Sequence, residues 1–167
     1  MKYLVLTIFI LVIWWLKPQA QADTVAFCPN VAVAAKLKSD KFNFGNDIPI
    51  TITLTNKTDS TQSVWFDRPR SSTGGPAWTS VILTNKKTGL SVLKYQNKAI
   101  LESQIYSAEE IKKYSYQLKP EQDVSGIFSL YDLVILLGNK QSLDKGDYEM
   151  QIFYCYNGSD KINFTVN

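Results

Sequence analysis

Ile48-Pro49-Ile50-Thr51-Ile52-Thr53-Leu54-Thr55 is the stretch that decides the fold class. Once Pro49 is passed, large aliphatics alternate with threonine at a period of two. That spacing puts one apolar row on one face of an extended chain, where a helix would need apolar residues three and four apart. Threonine and isoleucine are both β-branched, so both faces suit a pleated surface and disfavour a helix. The segment reads as a strand with one buried face.

The same grammar extends in both directions. Val31, Val33, Ala35 and Leu37 alternate more weakly ahead of it, and Asn43-Phe44-Gly45-Asn46-Asp47 supplies the intervening turn. Asn56-Lys57-Thr58-Asp59-Ser60 supplies the next turn, leading into Ser63-Val64-Trp65-Phe66. Ser80-Val81-Ile82-Leu83 and Leu90-Ser91-Val92-Leu93 flank Asn85-Lys86-Lys87-Thr88-Gly89, a hairpin with glycine near its end, where a positive φ costs little. Further strands are expected at 113–118, 123–129, 147–156 and 161–166. In the long late strand Tyr148, Met150, Ile152, Tyr154 and Tyr156 share the expected core face, leaving Gln151, Phe153 and Cys155 on the other. Ser107-Ala108-Glu109-Glu110 has capping-box spacing and predicts a short helix over 107–113. Tyr131 to Leu137 reads equally as helix or buried strand. The expectation is an all-β chain, an antiparallel β-sandwich of about seven to nine strands with one short helix.

The chain has 167 residues, 45% of them hydrophobic, which is one domain's worth of polypeptide with enough apolar surface for a core. It contains no histidine. That removes the commonest general base, the Ser-His and Cys-His nucleophile pairs and any imidazole metal site, so no catalytic residue, metal or cofactor is expected.

Met1-Lys2-Tyr3 is a short positive start, Leu4 to Leu16 is an apolar run of thirteen residues, and Ala20-Gln21-Ala22 is a small-x-small site. Together these are the parts of a secretory signal peptide over residues 1–22, cleaved after Ala22 to leave a single domain over 23–167. At about 1.5 Å per residue the run spans roughly 20 Å, short of the ~30 Å hydrocarbon core, so a retained anchor is the weaker reading. Without residues 1–22 the chain carries 16 basic and 15 acidic side chains. A formal +1 gives no electrostatic case for nucleic acid or anionic lipid as partner. The expected product is periplasmic or extracellular, with no stable membrane insertion.

Cys28 and Cys155 are the two cysteines, near the two ends of the processed chain. An even count in an exported chain reads as a disulfide, which requires the first and last parts of the fold to be neighbours.

Thr53-Leu54-Thr55-Asn56, then Val64-Trp65-Phe66, then Leu118-Lys119-Pro120-Glu121 and finally Lys145-Gly146-Asp147-Tyr148-Glu149-Met150 form an ordered series over residues 31–156. This order resembles an immunoglobulin-like layout found in bacterial exported proteins. It is similar to the class that includes intracellular-proteinase-inhibitor-type domains and prodomain-like modules of some secreted metalloproteases. The resemblance implies an immunoglobulin-like β-sandwich and an inhibitory role. It transfers no inhibitory or catalytic residue, and where such families often place Pro-Gly this chain has Pro120-Glu121.

The segment Asp67 to Trp78 is long for a connection inside one domain. Both arginines of the chain, Arg68 and Arg70, lie in it, with Trp78 at its end and Trp65 just before it. Arginine and tryptophan combine apolar area with directional donors, which is why they anchor protein interfaces. Arg68, Arg70 and Trp78 are therefore the expected partner contacts, with Trp65 as support. Tyr95, Tyr106, Tyr114 and Tyr116 form a second aromatic group that suits half-buried strands as well as a surface. Glu109 with Glu110, Glu121 with Asp123 and Asp144 with Asp147 read as solvated turn or helix-start acids. The functional expectation is a non-catalytic exported module that recognises a protein partner through a loop at one end of the sandwich. The alternatives are an inhibitor or immunity protein blocking a secreted or periplasmic hydrolase or toxin, and a hydrolase that works without histidine.

Overall fold

In the computed structural model of the chain, the residues described are 28–66, 78–95 and 108–167. The expected signal peptide, Arg68, Arg70, Tyr106 and Ser107 lie outside them. The described chain runs β1 (Ala32–Leu37), β2 (Lys41–Phe42), β3 (Pro49–Thr55), β4 (Gln62–Trp65), β5 (Thr79–Asn85) and β6 (Leu93–Tyr95). It continues through α1 (Ala108–Lys113), β7 (Ser115–Leu118), β8 (Asp123–Ser129), α2 (Leu130–Leu133) and β9 (Ile135–Leu136). A 3-10 turn at Leu137–Asn139 then leads to β10 (Gly146–Tyr154), β11 (Asn157–Gly158) and β12 (Ile162–Val166). The protein is all-β with little helix.

One sheet has the order β1-β3-β8, antiparallel throughout, with Ile52 opposite both Ala35 and Gly126. A second sheet is built on β10. Strand β5 pairs along one edge of it, from Tyr148 with Asn85 to Tyr154 with Thr79. Its first half pairs with β12 and its last two residues pair with β11. The short β2 joins β12 in parallel, which makes this sheet mixed. Two two-stranded pairings, β4 with β7 and β6 with β9, complete the architecture.

The period-two reading of β3 holds residue by residue: Ile50, Ile52 and Leu54 are fully buried, while Thr51, Thr53 and Thr55 are half-buried on the other face. In β10 the same is true of Tyr148, Met150, Ile152 and Tyr154. Residues from both sheets enter a single hydrophobic cluster, in which the Tyr148 ring stacks on Phe164 at 5.5 Å. Burying each such large side chain stabilises the fold by about 1.5–3 kcal/mol before its ordering entropy is subtracted.

Asn56 is the polar residue on which the turns converge. It is fully buried, and every hydrogen-bonding group it owns is used. Its amide Nδ2 donates to the carbonyls of Ser60 at 2.7 Å and Leu118 at 2.8 Å. Its Oδ1 accepts from the Thr58 backbone N–H at 2.9 Å and from the Thr58 hydroxyl. Its backbone N–H donates to Gln122 O, and its carbonyl accepts from Glu121 N. One side chain thus welds the β3–β4 turn to the β7–β8 turn.

Two expectations are corrected in detail and one left open is resolved. Tyr156, placed on the core face, is 89% exposed. Cys155 takes a left-handed backbone, φ 53°, which ends β10 at Tyr154 and breaks the alternation one residue too early for Tyr156. The 80–93 hairpin is shorter than its flanks allow: β5 meets the returning chain at a Thr84–Ser91 bridge, an Asn85 N–H to Leu90 O bond and a Val92 N–H to Leu83 O bond, after which β6 departs to pair with β9. Tyr131 to Leu137 holds both of the states left open, with α2 capped by the Ser129 hydroxyl and β9 following directly. Glu121, standing where the resemblance leads one to expect glycine, adopts a φ of 61°.

Candidate functional site

The residues that flank the 67–77 segment, Trp65 before it and Trp78 after it, meet the end of β10 on both sides. On the outgoing side, the backbone N–H of Trp65 donates to the Tyr154 hydroxyl at 3.0 Å, and that hydroxyl lies 3.4 Å from Trp65 O, to which it donates. Trp65, expected as a supporting residue, is 6% exposed. On the returning side, Cys155 N–H donates to Trp78 O at 3.0 Å. The next residue, Thr79, pairs with Tyr154 as the first rung of β5. Two consecutive residues of one strand end therefore hold the two ends of the connection.

That strand end is in turn fastened to the start of the described chain. Cys28 and Cys155 form the expected disulfide, with Cα atoms 5.5 Å apart and a sequence separation of 127. The Asn157 side-chain amide adds a hydrogen bond to Pro29 O at 3.2 Å. Beyond Tyr156 the chain turns back as β11, closed by Ser159 N–H to Ile152 O and by Ile152 N–H to the Ser159 hydroxyl. No side chain fits in place of the hydrogen at Gly158, because the Phe153 ring lies 2.8 Å from where a Cβ would stand.

Trp78 and Cys155 are both non-glycine residues with positive φ, 62° and 53°. Each such conformation costs about 1–2 kcal/mol for an L residue, and such backbones persist only where the surroundings over-determine them. Here the surroundings are the N–H···O bond between the two residues and the covalent bridge.

Trp78 is 42% exposed and Tyr156 89% exposed. They present two large aromatics on either side of Cys155, beside the place from which the arginine-bearing segment springs. Arg68 and Arg70 lie outside the described residues. Tyr156 is the residue that sequence reasoning missed, since period-two parity assigned it to the core. Of the central tyrosines, Tyr95 and Tyr116 are 41% and 40% exposed and belong to other strands; Tyr116 meets Phe66 edge-on at 6.2 Å.

The electrostatics at this base are governed by burial. Desolvation pushes the Tyr154 phenol up to about 12, opposed by its hydrogen bond with the Trp65 backbone. The hydroxyl stays neutral over the physiological range and acts as a two-way hydrogen-bonding post. Among the described residues no group of three or more Cys, Asp or Glu is placed to hold a metal ion.

No protein-family model and no curated protein matches the sequence. Among solved structures, a β-glucosidase from Listeria innocua in complex with gluconolactone aligns over 83% of this chain and 16% of its own, with 12% identity and a TM-score of 0.46. The same enzyme in complex with glucose gives 12% identity and a TM-score of 0.44. The alkylpurine DNA glycosylase AlkC from Pseudomonas fluorescens, bound to DNA containing an abasic site analog, aligns over 82% of this chain and 30% of its own at 12% identity and a TM-score of 0.43. The chain spans about a sixth of the glucosidase and under a third of the glycosylase. At TM-scores below 0.5 these likenesses carry no argument about fold or activity.

Proposed function

We propose that the chain is a non-catalytic exported binding module, an immunoglobulin-like β-sandwich that recognises a protein partner with the 67–78 segment and the aromatics beside it. The observation that supports this most is the double anchorage of that segment: Trp65 on Tyr154 and Trp78 on Cys155, with Cys155 bridged to Cys28. A recognition segment with a fixed base loses less conformational entropy on binding than one with loose ends. Trp78 and Tyr156 would supply area, and Arg68 and Arg70 would supply directional donors for carboxylates or carbonyls. Removal of residues 1–22 on export would place the cysteines in an oxidising compartment, where the bridge forms and persists.

The test is affinity capture from the extracellular and periplasmic fractions of the producing cell with the oxidised 23–167 chain, followed by titration of the partner recovered. Trp78→Ala, Tyr156→Ala and the double Arg68→Ala/Arg70→Ala are compared with the parent chain. Loss of a central aromatic or arginine anchor costs about 2 kcal/mol or more, so at least one variant should bind roughly thirtyfold more weakly. A partner held equally well by all three would remove this segment from the account.

A further inference from the structure

The opposite end of the molecule carries a second surface with its own chemistry. Lys86 to Leu90 turn away from β5, and Leu137 to Lys145 lead into β10, so both lie at the strand ends farthest from the disulfide. Between them is a cleft of about 150 Å³ lined by Val92, Leu136, Leu137, Leu143 and Tyr148, with Lys140 and Asp144 at its side. Its walls are tied together. Leu137 N–H donates to Val92 O at 2.9 Å, the Tyr148 hydroxyl donates to Asp144 O at 2.8 Å, and Leu143 N–H donates to the Tyr131 hydroxyl at 3.3 Å. Leu137 is 51% exposed and Leu90, two residues before Val92, is 68% exposed.

An open cleft of about 150 Å³, apolar at Val92, Leu136, Leu137 and Leu143 and polar at Lys140, Ser142 and Asp144, has the volume of one large side chain. The charge around it is lopsided. Segments 85–95 and 137–147 contain Lys86, Lys87, Lys94, Lys140 and Lys145 against Asp144 and Asp147. Lys140 pairs with Asp144, while Lys86 and Asp147 face a separate cleft that also includes Asp40. Among the described residues Lys87, Lys94 and Lys145 have no ion-pair partner and form the fringe. We propose that this end docks an acidic peptide segment, which inserts one aromatic or large aliphatic side chain between Leu137 and Leu143 and sets its carboxylates against the lysine fringe. A concave slot of single-side-chain size matches a peptide anchor, whereas a bilayer surface would reach only the protruding Leu90 and Leu137. Charge complementarity selects an acidic sequence over a basic one. The site stands at the other end of the strands from Trp78 and does not depend on the role proposed there.

The experiment is an NMR titration of the isotope-labelled, oxidised chain with a short peptide in which phenylalanine is flanked by glutamates and aspartates. Control peptides carry serine in place of the phenylalanine, or lysines in place of the acids. Amide shifts should concentrate at residues 90–94 and 135–145, with affinity about tenfold weaker for each control and for Leu137→Ser and Lys94→Glu. Lys94 is exposed and belongs to the fringe, so Lys94→Glu reads binding without a burden on folding; a Trp78→Ala chain should titrate like the parent. Shifts scattered over the surface, or equal binding of the lysine peptide, would overturn the proposal. So would sedimentation with phosphatidylglycerol vesicles that Leu137→Ser abolishes in a chain that ignores the acidic peptide, an outcome that would give the face to lipid.

Discussion

Replacing Tyr154 by phenylalanine isolates the anchorage of the 67–78 segment from everything else. The ring stays in the core, and only the hydroxyl that accepts from Trp65 N–H at 3.0 Å and faces Trp65 O at 3.4 Å is lost. Losing a hydrogen bond to a buried backbone group costs about 1–3 kcal/mol, and the longer contact contributes at the low end. The expected destabilisation is therefore about 2–3 kcal/mol near neutral pH. Urea denaturation of the oxidised chain, followed by far-ultraviolet circular dichroism, measures it as a shift in midpoint at constant slope. A pH series adds a signature that simple loss of packing would not give. The folded phenol titrates at about 12, above the ordinary tyrosine value of about 10, so above pH 10 the unfolded chain releases a proton that the folded chain retains. The contribution of Tyr154 is whole below pH 10 and declines by about 1.4 kcal/mol per pH unit until pH 12. The gap between parent and Tyr154→Phe should thus narrow over that window and stay constant below it. Burial raises Tyr131 and Tyr148 in the same direction, but both are present in both chains and cancel in the difference. A variant within about 0.5 kcal/mol of the parent at pH 7, or a gap independent of pH up to 12, would refute the reasoning.

Other perturbations test other joints. Asn56→Asp turns two donors into acceptors facing the Ser60 and Leu118 carbonyls, and denaturant titration at pH 7 should show a loss of about 3–5 kcal/mol that lessens as acid protonates the new carboxyl. Cys155→Ser opens a loop of 127 residues, for which chain entropy sets a ceiling of about 5 kcal/mol; non-reducing calorimetry should find a lower melting temperature that the parent reaches only with reductant present. Glu121→Gly relieves a left-handed non-glycine residue at the β7–β8 turn and should stabilise by about 0.5–1 kcal/mol. That figure is net of glycine's larger entropy loss on folding; the Lys57 ion pair also lost is solvent-exposed and contributes little.

Where the pattern was local, the sequence was legible. The alternation at Ile50, Ile52 and Leu54 and the face shared by Tyr148, Met150, Ile152 and Tyr154 follow from the pleat alone, and both are buried as read. The Cys28–Cys155 bridge was readable because an even cysteine count, in a chain read as exported, restricts the options. Tyr156 was misread because parity assumes an unbroken strand, and a left-handed Cys155 carries no mark in its residue type. Strands β2 and β9, two residues each, are too short to show a period and exist only because longer neighbours offer them an edge. Asn56 was legible as a turn residue but not as a buried hub, since its partners at Leu118, Glu121 and Gln122 are more than sixty positions away. The same holds for the candidate site. Composition drew attention to the arginine- and tryptophan-bearing segment, while the contact that fixes its base joins Trp65 to Tyr154 across 89 residues.

Hydrogen exchange at two backbone amides tests the clamped base most directly. Trp65 N–H is bonded to the Tyr154 hydroxyl and Cys155 N–H to Trp78 O, so in the oxidised chain both should exchange slowly, near the rate of Ile152 N–H in the middle of β10. In Tyr154→Phe, Trp65 alone should speed up, by about tenfold or more. If both amides exchange in the parent as fast as unstructured chain, the 67–78 segment has no fixed base and the binding role proposed for it loses its footing.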